Sequence, residues 1–463
     1  MKYILADDYI MRGFDHGKIT ALININSGAR EYPSSGMMML LQMCDGKTDS
    51  SLYAFMPGTL KGLELALQKG WIKPAEADEQ IKTEQVYREL PTHDIASIQW
   101  SITGACNANC RHCYITDHQR SQTDLTTEEM LKVIERLADA CVYHVSLTGG
   151  EPLVRKDLPV LLNTMREKHI KVTALSTNGF LLDDGMLDMF SEHGMRPKIQ
   201  ISFDGLGKHD WMRRVPGAEK MAVVAMENCK KHGFPFALAM CLHQDNKDLI
   251  DSTVKLGMEK GAELIRLCMV GNYGGFTPEK GISLLSMEET YQLYLDYLPV
   301  ILREKPDIDI EFSGCLKING SEPEKAIIIP YIHSCMDPEN NRVCQSVEKS
   351  FYLTDDGRVL PCMIVAGNAI ENDCLKLSEQ SLESCMNSPG YKKFLALTAK
   401  DVLAKNTQCA DCEYLKYCGC GCRGASIIAN NDLYGIDIDR CRFYRNGWGT
   451  RFEKLLFPYT KAE

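Results

Sequence analysis

The sequence predicts an α/β protein whose central unit is a parallel sheet made of repeated strand–helix pairs. Three observations carry this. Strand-like and helix-like segments alternate from about residue 97 to residue 269. Four successive strand candidates end in sharp turns rich in Gly, Asn, Asp or Cys. A strand-then-helix segment precedes this region and a cysteine-rich segment follows it. The chain has 463 residues, enough for two or three domains.

Residues 1–74 read as the first unit, a small α+β fold. Stretches 3–11 and 18–24 are rich in β-branched and apolar residues and are separated by the turn at Asp15-His16-Gly17. Ser27-Gly28 turns into a third short strand at 29–32. Ser34 and Ser35 offer N-caps for a helix over 37–44, which stops at Asp45-Gly46. A second helix is expected over 60–69, with Leu60, Leu63, Leu65, Ala66 and Leu67 on its buried face and Gly70 as its stop. Residues 75–94 are polar and read as a linker.

The strand candidates of the central unit are 97–103, 144–148, 171–176, 198–203, 236–242 and 264–269. Thr126-Thr127-Glu128-Glu129 is a capping box that opens the first helix between them. A parallel order puts the working groups at the carboxyl ends of the strands, whether the sheet is open or rolled into a barrel. The first strand runs into Cys106, the second into Thr148-Gly149-Gly150-Glu151-Pro152. The third ends in Ser176-Thr177-Asn178-Gly179, the fourth in Ser202-Phe203-Asp204-Gly205.

Cys106, Cys110 and Cys113 form a C-x3-C-x2-C loop. Three thiolates hold three corners of a [4Fe–4S] cubane, which normally takes four cysteines, so one iron stays open. A structural zinc site would want a fourth ligand. The loop, the aromatic Tyr114 behind it and the four strand ends in order resemble the radical S-adenosylmethionine (radical SAM) enzymes. The resemblance covers roughly residues 97–270 and implies a partial (β/α)6 barrel. It implies that Gly149–Pro152 play the part of that family's GGEP motif, and that the open iron chelates the amine and carboxylate of S-adenosylmethionine. Tyr114, Asn178, Ser202 and Asp204 are the further candidates for contacts to the cofactor. Arg213, in His209-Asp210-Trp211-Met212-Arg213, is the candidate for its carboxylate. The implied chemistry is cleavage to a 5′-deoxyadenosyl radical that takes a hydrogen atom from the substrate, the protein supplying orientation and a dry pocket. No residue is singled out as general base.

The C-terminal cysteines have a second pattern: Cys344, Gly357 and Cys362, then Cys409, Cys412, Cys418 and Cys422, then Cys441. This looks like the seven-cysteine SPASM domain, which implies two auxiliary [4Fe–4S] clusters and three clusters per chain. Cys344, Cys362 and Cys422 would hold the first, with Cys335 as fourth ligand and Cys315 in reserve. Cys409, Cys412, Cys418 and Cys441 would hold the second. Cys420 has no assigned role, and two zinc sites are the rival reading. The domains expected are 1–74, a linker at 75–94, a barrel at 95–310 and the SPASM domain at 311–463.

Composition narrows the partners. The net charge is −10 and there is no basic run, which argues against nucleic acid. No apolar run reaches the roughly 18 residues of a membrane helix, and the start has no signal-peptide core. A cytoplasmic location is expected, where 20 cysteines point to metal ligation rather than disulfides. The first unit resembles, in element order and size, the winged-helix-like, PqqD-like leader-peptide recognition domain of peptide maturases. There an extended leader adds to a sheet edge, here near Gly28–Tyr32 with the 60–69 helix behind it. The expected function is oxidative modification of a ribosomally made precursor peptide, by a thioether or other crosslink, with a flavodoxin or ferredoxin as electron donor. The alternatives are sulfatase-maturase-like oxidation of a Ser or Cys on a protein, and a non-catalytic iron–sulfur electron carrier.

Overall fold

The computed structural model describes residues 1–53, 57–113, 124–270, 281–329, 342–344 and 346–459. The first unit holds β1 (Lys2–Leu5), β2 (Tyr9–Phe14), β3 (Ile19–Asn24), β4 (Arg30–Glu31), α1 (Ser35–Met43), β5 (Asp45–Asp49), α2 (Thr59–Gln68) and β6 (Ile72–Pro74). The run expected as one strand over 3–11 is thus two, broken at Ala6-Asp7-Asp8. The break lets β1 join one sheet, in the order β5-β1-β6, and β2 another. Asp45-Gly46-Lys47-Thr48-Asp49 reads as a turn by composition. Antiparallel pairing with β1 makes it a strand, a case of tertiary context overriding propensity.

The polar segment 75–94 does not behave as a free linker. It contributes β7 (Arg88–Glu89), which pairs with β2 to complete a sheet ordered β4-β3-β2-β7. Arg12 donates to the carbonyls of Glu84 and Val86, and Gln85 Nε2 to those of Ala6 and Tyr9. Polar composition hid this because each of these contacts is made to a backbone group.

That four-stranded sheet is buried on both faces. Ile10, Phe14, Ala21 and Ile23 pack into the core of the central unit. Met11 and Leu22 point the other way, into a core shared with Met38 and Leu41 of α1 and Leu63 and Ala66 of α2, while Leu60, Leu65 and Leu67, expected on the buried face of α2, are exposed. The period-two alternation of a strand sends successive residues to opposite cores. The first unit is therefore welded to the central one.

The central unit runs β8 (Ser97–Ser101), α3 (Thr127–Asp139), β9 (His144–Thr148), α4 (Leu158–Glu167), β10 (Lys171–Thr177), α5 (Asp184–Glu192), β11 (Lys198–Ser202), α6 (His209–Arg213), α7 (Ala218–His232), β12 (Phe236–Leu242), α8 (Ile250–Lys260), β13 (Leu264–Met269), α9 (Met287–Glu304) and β14 (Asp309–Phe312). The capping box at Thr126 and Glu129 forms as expected. Strands β8 to β14 are parallel and lie side by side in chain order. Sequential order is that of a rolled sheet, whereas a doubly wound sheet reverses direction at a switch point. The parallel series has a seventh member, β14, beyond the six expected. Antiparallel β15 (Leu316–Asn319) and β16 (Ile327–Ile328) extend that edge.

The C-terminal region grips the sheet from its other edge. β17 (Tyr352–Leu353) pairs parallel with β8 and antiparallel with β18 (Val359–Leu360). Short helices follow: α10 (Leu382–Met386), α11 (Pro389–Leu395), α12 (Ala399–Lys405), α13 (Thr407–Ala410), α14 (Leu415–Cys418), α15 (Arg423–Asn430), α16 (Ile438–Arg445) and α17 (Trp448–Leu456). Tyr291 of α9 meets Phe443 and Trp448 at 5.4 and 5.6 Å between ring centroids, which fixes α16 and α17 to the barrel.

Candidate functional site

The cysteine loop leaves β8 and is held from three sides. Beneath it, the Asp124 carboxylate accepts from the Gly104 N–H at 2.7 Å and from the Thr103 hydroxyl. From the second strand end, the Gly150 N–H donates to Thr103 O and the Glu151 N–H to Ala105 O, both at 2.8 Å. A Cβ on Gly149 would lie 2.4 Å from Thr103 O, and one on Gly150 would lie 2.2 Å from Ala105 O. The two glycines are therefore required by the close approach of two loops, whatever ligand lies beyond them. From the fourth strand end, α6 clamps the loop. The Arg111 N–H donates to Met212 O at 2.9 Å, and the Arg111 guanidinium lies 4.4 Å from the Trp211 ring centre.

The loop brings its three thiols together. Burial comes first in pushing Cys106 up to about 11, and the neighbouring Cys110 and Cys113 add to it. Bound metal is what makes such thiols thiolates. The three-thiol donor set fits a [4Fe–4S] cluster with one open corner.

The expected cofactor residues split into engaged and open groups. The Glu151 carboxylate is buried and accepts from the N–H groups of Leu153 and Asn178 and from the Thr177 hydroxyl. It ties the second strand end to the third. Asn178 donates to Asn107 Oδ1 at 2.6 Å and accepts from the Phe180 N–H. Asp204 is 0% exposed. Its carboxylate meets Arg213 Nε at 2.9 Å and accepts from the Cys241 N–H at 3.2 Å. Burial alone would raise this carboxyl, yet the Arg213 charge holds it well below the usual range. Arg213 is buried too, and its Nη1 reaches Cys110 Sγ at 3.7 Å. It is a link between the loop and β11 rather than a surface arginine. Ser202 closes β11 half-buried. Tyr114 and Cys335 lie outside the described residues.

His112, between Cys110 and Cys113, carries no sequence signal of its own. Burial and the Arg213 charge lower it to about 3, so it is a neutral imidazole. His112, Asp204 and Cys241 offer ligand atoms within 4.8 Å of one another. The Arg213 guanidinium already neutralises Asp204 there, so no further cation is needed. Cys241 and Cys268 are half-buried and interact side chain to side chain, which raises the Cys241 thiol and lowers that of Cys268. Cys268 Sγ also donates to Arg266 O at 4.0 Å and accepts from the Ser313 hydroxyl at 3.8 Å.

The SPASM-like cysteines also converge. Cys409, Cys412, Cys418 and Cys441 line one cavity with Tyr414 and Tyr444. Cys344 and Cys422 lie close enough to Cys362, and Cys344 to Cys422, to add to the burial that raises the Cys362 and Cys422 thiols. Asp437 joins the groups: it accepts from the Cys422 N–H at 2.7 Å and caps α16, which carries Cys441. Cys315, the reserve ligand, is 0% exposed in the barrel core, with Tyr291 and Tyr294 as neighbours. Its side chain is committed to packing. Cys420 is buried with Leu397 and Val402.

Residues 100–257 match the radical SAM superfamily, and residues 344–413 match SPASM, an iron–sulfur cluster-binding domain. The chain is 24% identical over 359 residues to the AdoMet-dependent heme synthase of Methanosarcina barkeri, covering 76% of this chain and 97% of that protein. It is 22% identical over 338 residues to the PqqA peptide cyclase of Granulibacter bethesdensis, covering 72% and 84%. Among solved structures, Streptococcus suis SuiB bound to the precursor peptide SuiA aligns with a TM-score of 0.67 at 15% identity, over 95% of this chain and 100% of that one. The cysteine loop, the parallel sheet and the two domain matches define a radical SAM enzyme with a SPASM domain, whose cofactors are [4Fe–4S] clusters and S-adenosylmethionine. Its fold is shared with SuiB from the N-terminal unit onward. No helix among the described residues is long and apolar enough to cross a membrane.

Proposed function

We propose that this enzyme oxidatively modifies a ribosomally made precursor peptide, forming a thioether or another crosslink after hydrogen abstraction from an unactivated carbon. The observation that carries the reading is the fold likeness to a chain solved with a precursor peptide, because it spans 95% of this protein and so includes the N-terminal unit. In this reading the unit, winged-helix-like in role, binds the leader. β4 ends its sheet, and α2 exposes Leu60 and Leu67 two turns apart on one face. The glycine turn, Asn178, Ser202, Asp204 and Arg213 shape the S-adenosylmethionine site. Cys106, Cys110 and Cys113 hold one cluster and the seven SPASM cysteines two more, with Cys335 as the eleventh cysteine ligand. A flavodoxin or ferredoxin supplies electrons, in the cytoplasm.

The probe is the short cysteine-rich peptide expected to be encoded beside the gene. Anaerobic, reconstituted enzyme given S-adenosylmethionine, reductant and this peptide should release 5′-deoxyadenosine and yield a peptide two hydrogens lighter for each crosslink. Leu60→Glu with Leu67→Glu should abolish that mass change and weaken binding of the labelled leader. Release of 5′-deoxyadenosine with no change in the peptide would overturn the reading. The Methanosarcina barkeri relative supports a second one, a porphyrin substrate. Conversion of an iron porphyrin in the same assay would favour it.

A further inference from the structure

Most single cysteines of this chain are buried in apolar surroundings: Cys44, Cys229, Cys315, Cys374 and Cys385. Cys241 and Cys268 differ in three ways. They are register partners on neighbouring strands, β12 and β13, each one residue from its strand's carboxyl end. Both are half-buried, while Met240, Leu242 and Leu267 beside them are fully buried. And both sit in a polar row. The Asp204 carboxylate accepts from the Cys241 N–H, Cys241 contacts Cys268, and the Ser313 hydroxyl lies 3.8 Å from Cys268 Sγ. One layer below, Arg266 bridges Glu311 and Gln200. The row thus occupies the barrel's inner face at the end where ligands bind. Cys241 Sγ is within 4.8 Å of a ring nitrogen of His112, which stands between two cluster ligands.

We propose that Cys241 and Cys268 form a hydrogen-donating dithiol at the barrel mouth that quenches carbon radicals formed there; this rests on the radical SAM reading of the site. An S–H bond is weaker than an aliphatic C–H bond, so transfer to a carbon radical is downhill. Cys241 S–H gives its hydrogen atom to the carbon, forming a C–H bond and leaving a thiyl radical. The Cys268 thiol releases its proton as its sulfur joins that radical in a disulfide radical anion. One electron from the same class of low-potential donor that starts the reaction, and two protons, restore both thiols. The sum adds one hydrogen atom to the substrate radical, so a carbon can be released with its configuration inverted rather than oxidised. If the radical anion instead loses its electron to an added oxidant, a disulfide remains. Neighbouring strands lie about 4.7–4.9 Å apart, inside the roughly 4.4–6.8 Å Cα spacing that a disulfide spans.

The test needs no natural substrate. Cluster-loaded enzyme in D2O, with S-adenosylmethionine and titanium(III) citrate and no added thiol, produces 5′-deoxyadenosine whose deuterium content is read by mass spectrometry. The thiol hydrogen exchanges with solvent, so the wild type should transfer deuterium to the 5′ carbon. Cys241→Ala and the near-isosteric Cys241→Ser should lower the deuterium per 5′-deoxyadenosine at least fivefold. The ratio is independent of rate. In parallel, oxidised dithiothreitol should form a Cys241–Cys268 disulfide in the folded wild type, found by peptide mapping. An unchanged deuterium ratio in both variants, or no such disulfide, overturns the proposal. No 5′-deoxyadenosine from the wild type overturns the radical reading as well.

Discussion

The cysteine loop of the barrel and the cysteine block of the SPASM domain hold the same kind of donor in opposite settings. The barrel loop is short, and its supports come from far along the chain: Asp124, Gly150, Asn178 and Met212. Arg213 places a buried positive charge beside Cys110. The SPASM block supplies its own supports over short distances, with Asp437 capping one helix and holding Cys422. Its second group offers four thiols, a complete set, where the loop offers three. An incomplete, charged site held by many strand ends suits ligand chemistry. A complete, locally built site suits electron transfer.

Four experiments sharpen or break that contrast. The largest effect is expected from replacing Cys106, Cys110 and Cys113 together by Ala. Cleavage of S-adenosylmethionine should vanish while iron falls by about four from about twelve. Loss of all iron would show that the two regions are not independent.

Asp204→Asn comes next. It leaves the Arg213 charge buried without its partner, which should cost about 3–5 kcal/mol in thermal or denaturant unfolding. Arg213→Met combined with Asp204→Asn should cost less than the sum of the single changes. Strict additivity would mean that the pair does not organise the site.

Third, burial raises the Glu151 carboxyl to about 7, against hydrogen bonds that favour its anion. The folded value lies above the unfolded value near 4.3. The stabilisation relative to Glu151→Gln is therefore complete below about pH 4 and is lost as pH rises through about 7. Melting curves of the two proteins should shift against each other by about 1–3 kcal/mol between pH 5 and pH 8. A constant difference would mean that Glu151 does not titrate in this range.

The smallest effect belongs to Asp437→Ala. Loss of the cap should cost about 1 kcal/mol. It should alter the electron paramagnetic resonance of the auxiliary clusters and leave the barrel cluster's signal in place. A change in the barrel signal alone would reverse the assignment of Asp437.

Much of the site was legible because its cysteines are close in sequence. Cys106, Cys110 and Cys113 share one loop, and Cys409 to Cys422 share one short stretch, so spacing reports geometry directly. The strand ends were legible for a similar reason, since tight turns demand particular residues. The roles of the candidates were less so. Gly149 and Gly150 stand out in sequence as part of a GGEP-like turn, and only the structure shows that they also make room between two backbones. Asp204, a candidate for contact with the cofactor, is buried and paired with Arg213. Residues 75–94 looked like a linker because backbone pairing leaves little trace in side-chain composition.

The sequence by itself determined the cofactor class, the parallel α/β core and the grouping of the cysteines, since each depends on local spacing or periodicity. Only the tertiary structure decided which side chains are spent on one another. Whether Cys241 faces Cys268, or Arg213 reaches Asp204 and Cys110 together, depends on strand register and loop packing between distant residues. A shift of one residue in β12 would turn Cys241 from the barrel mouth to the helix side. Nothing in the local sequence fixes that register. The complementary burial of both faces of the sheet does.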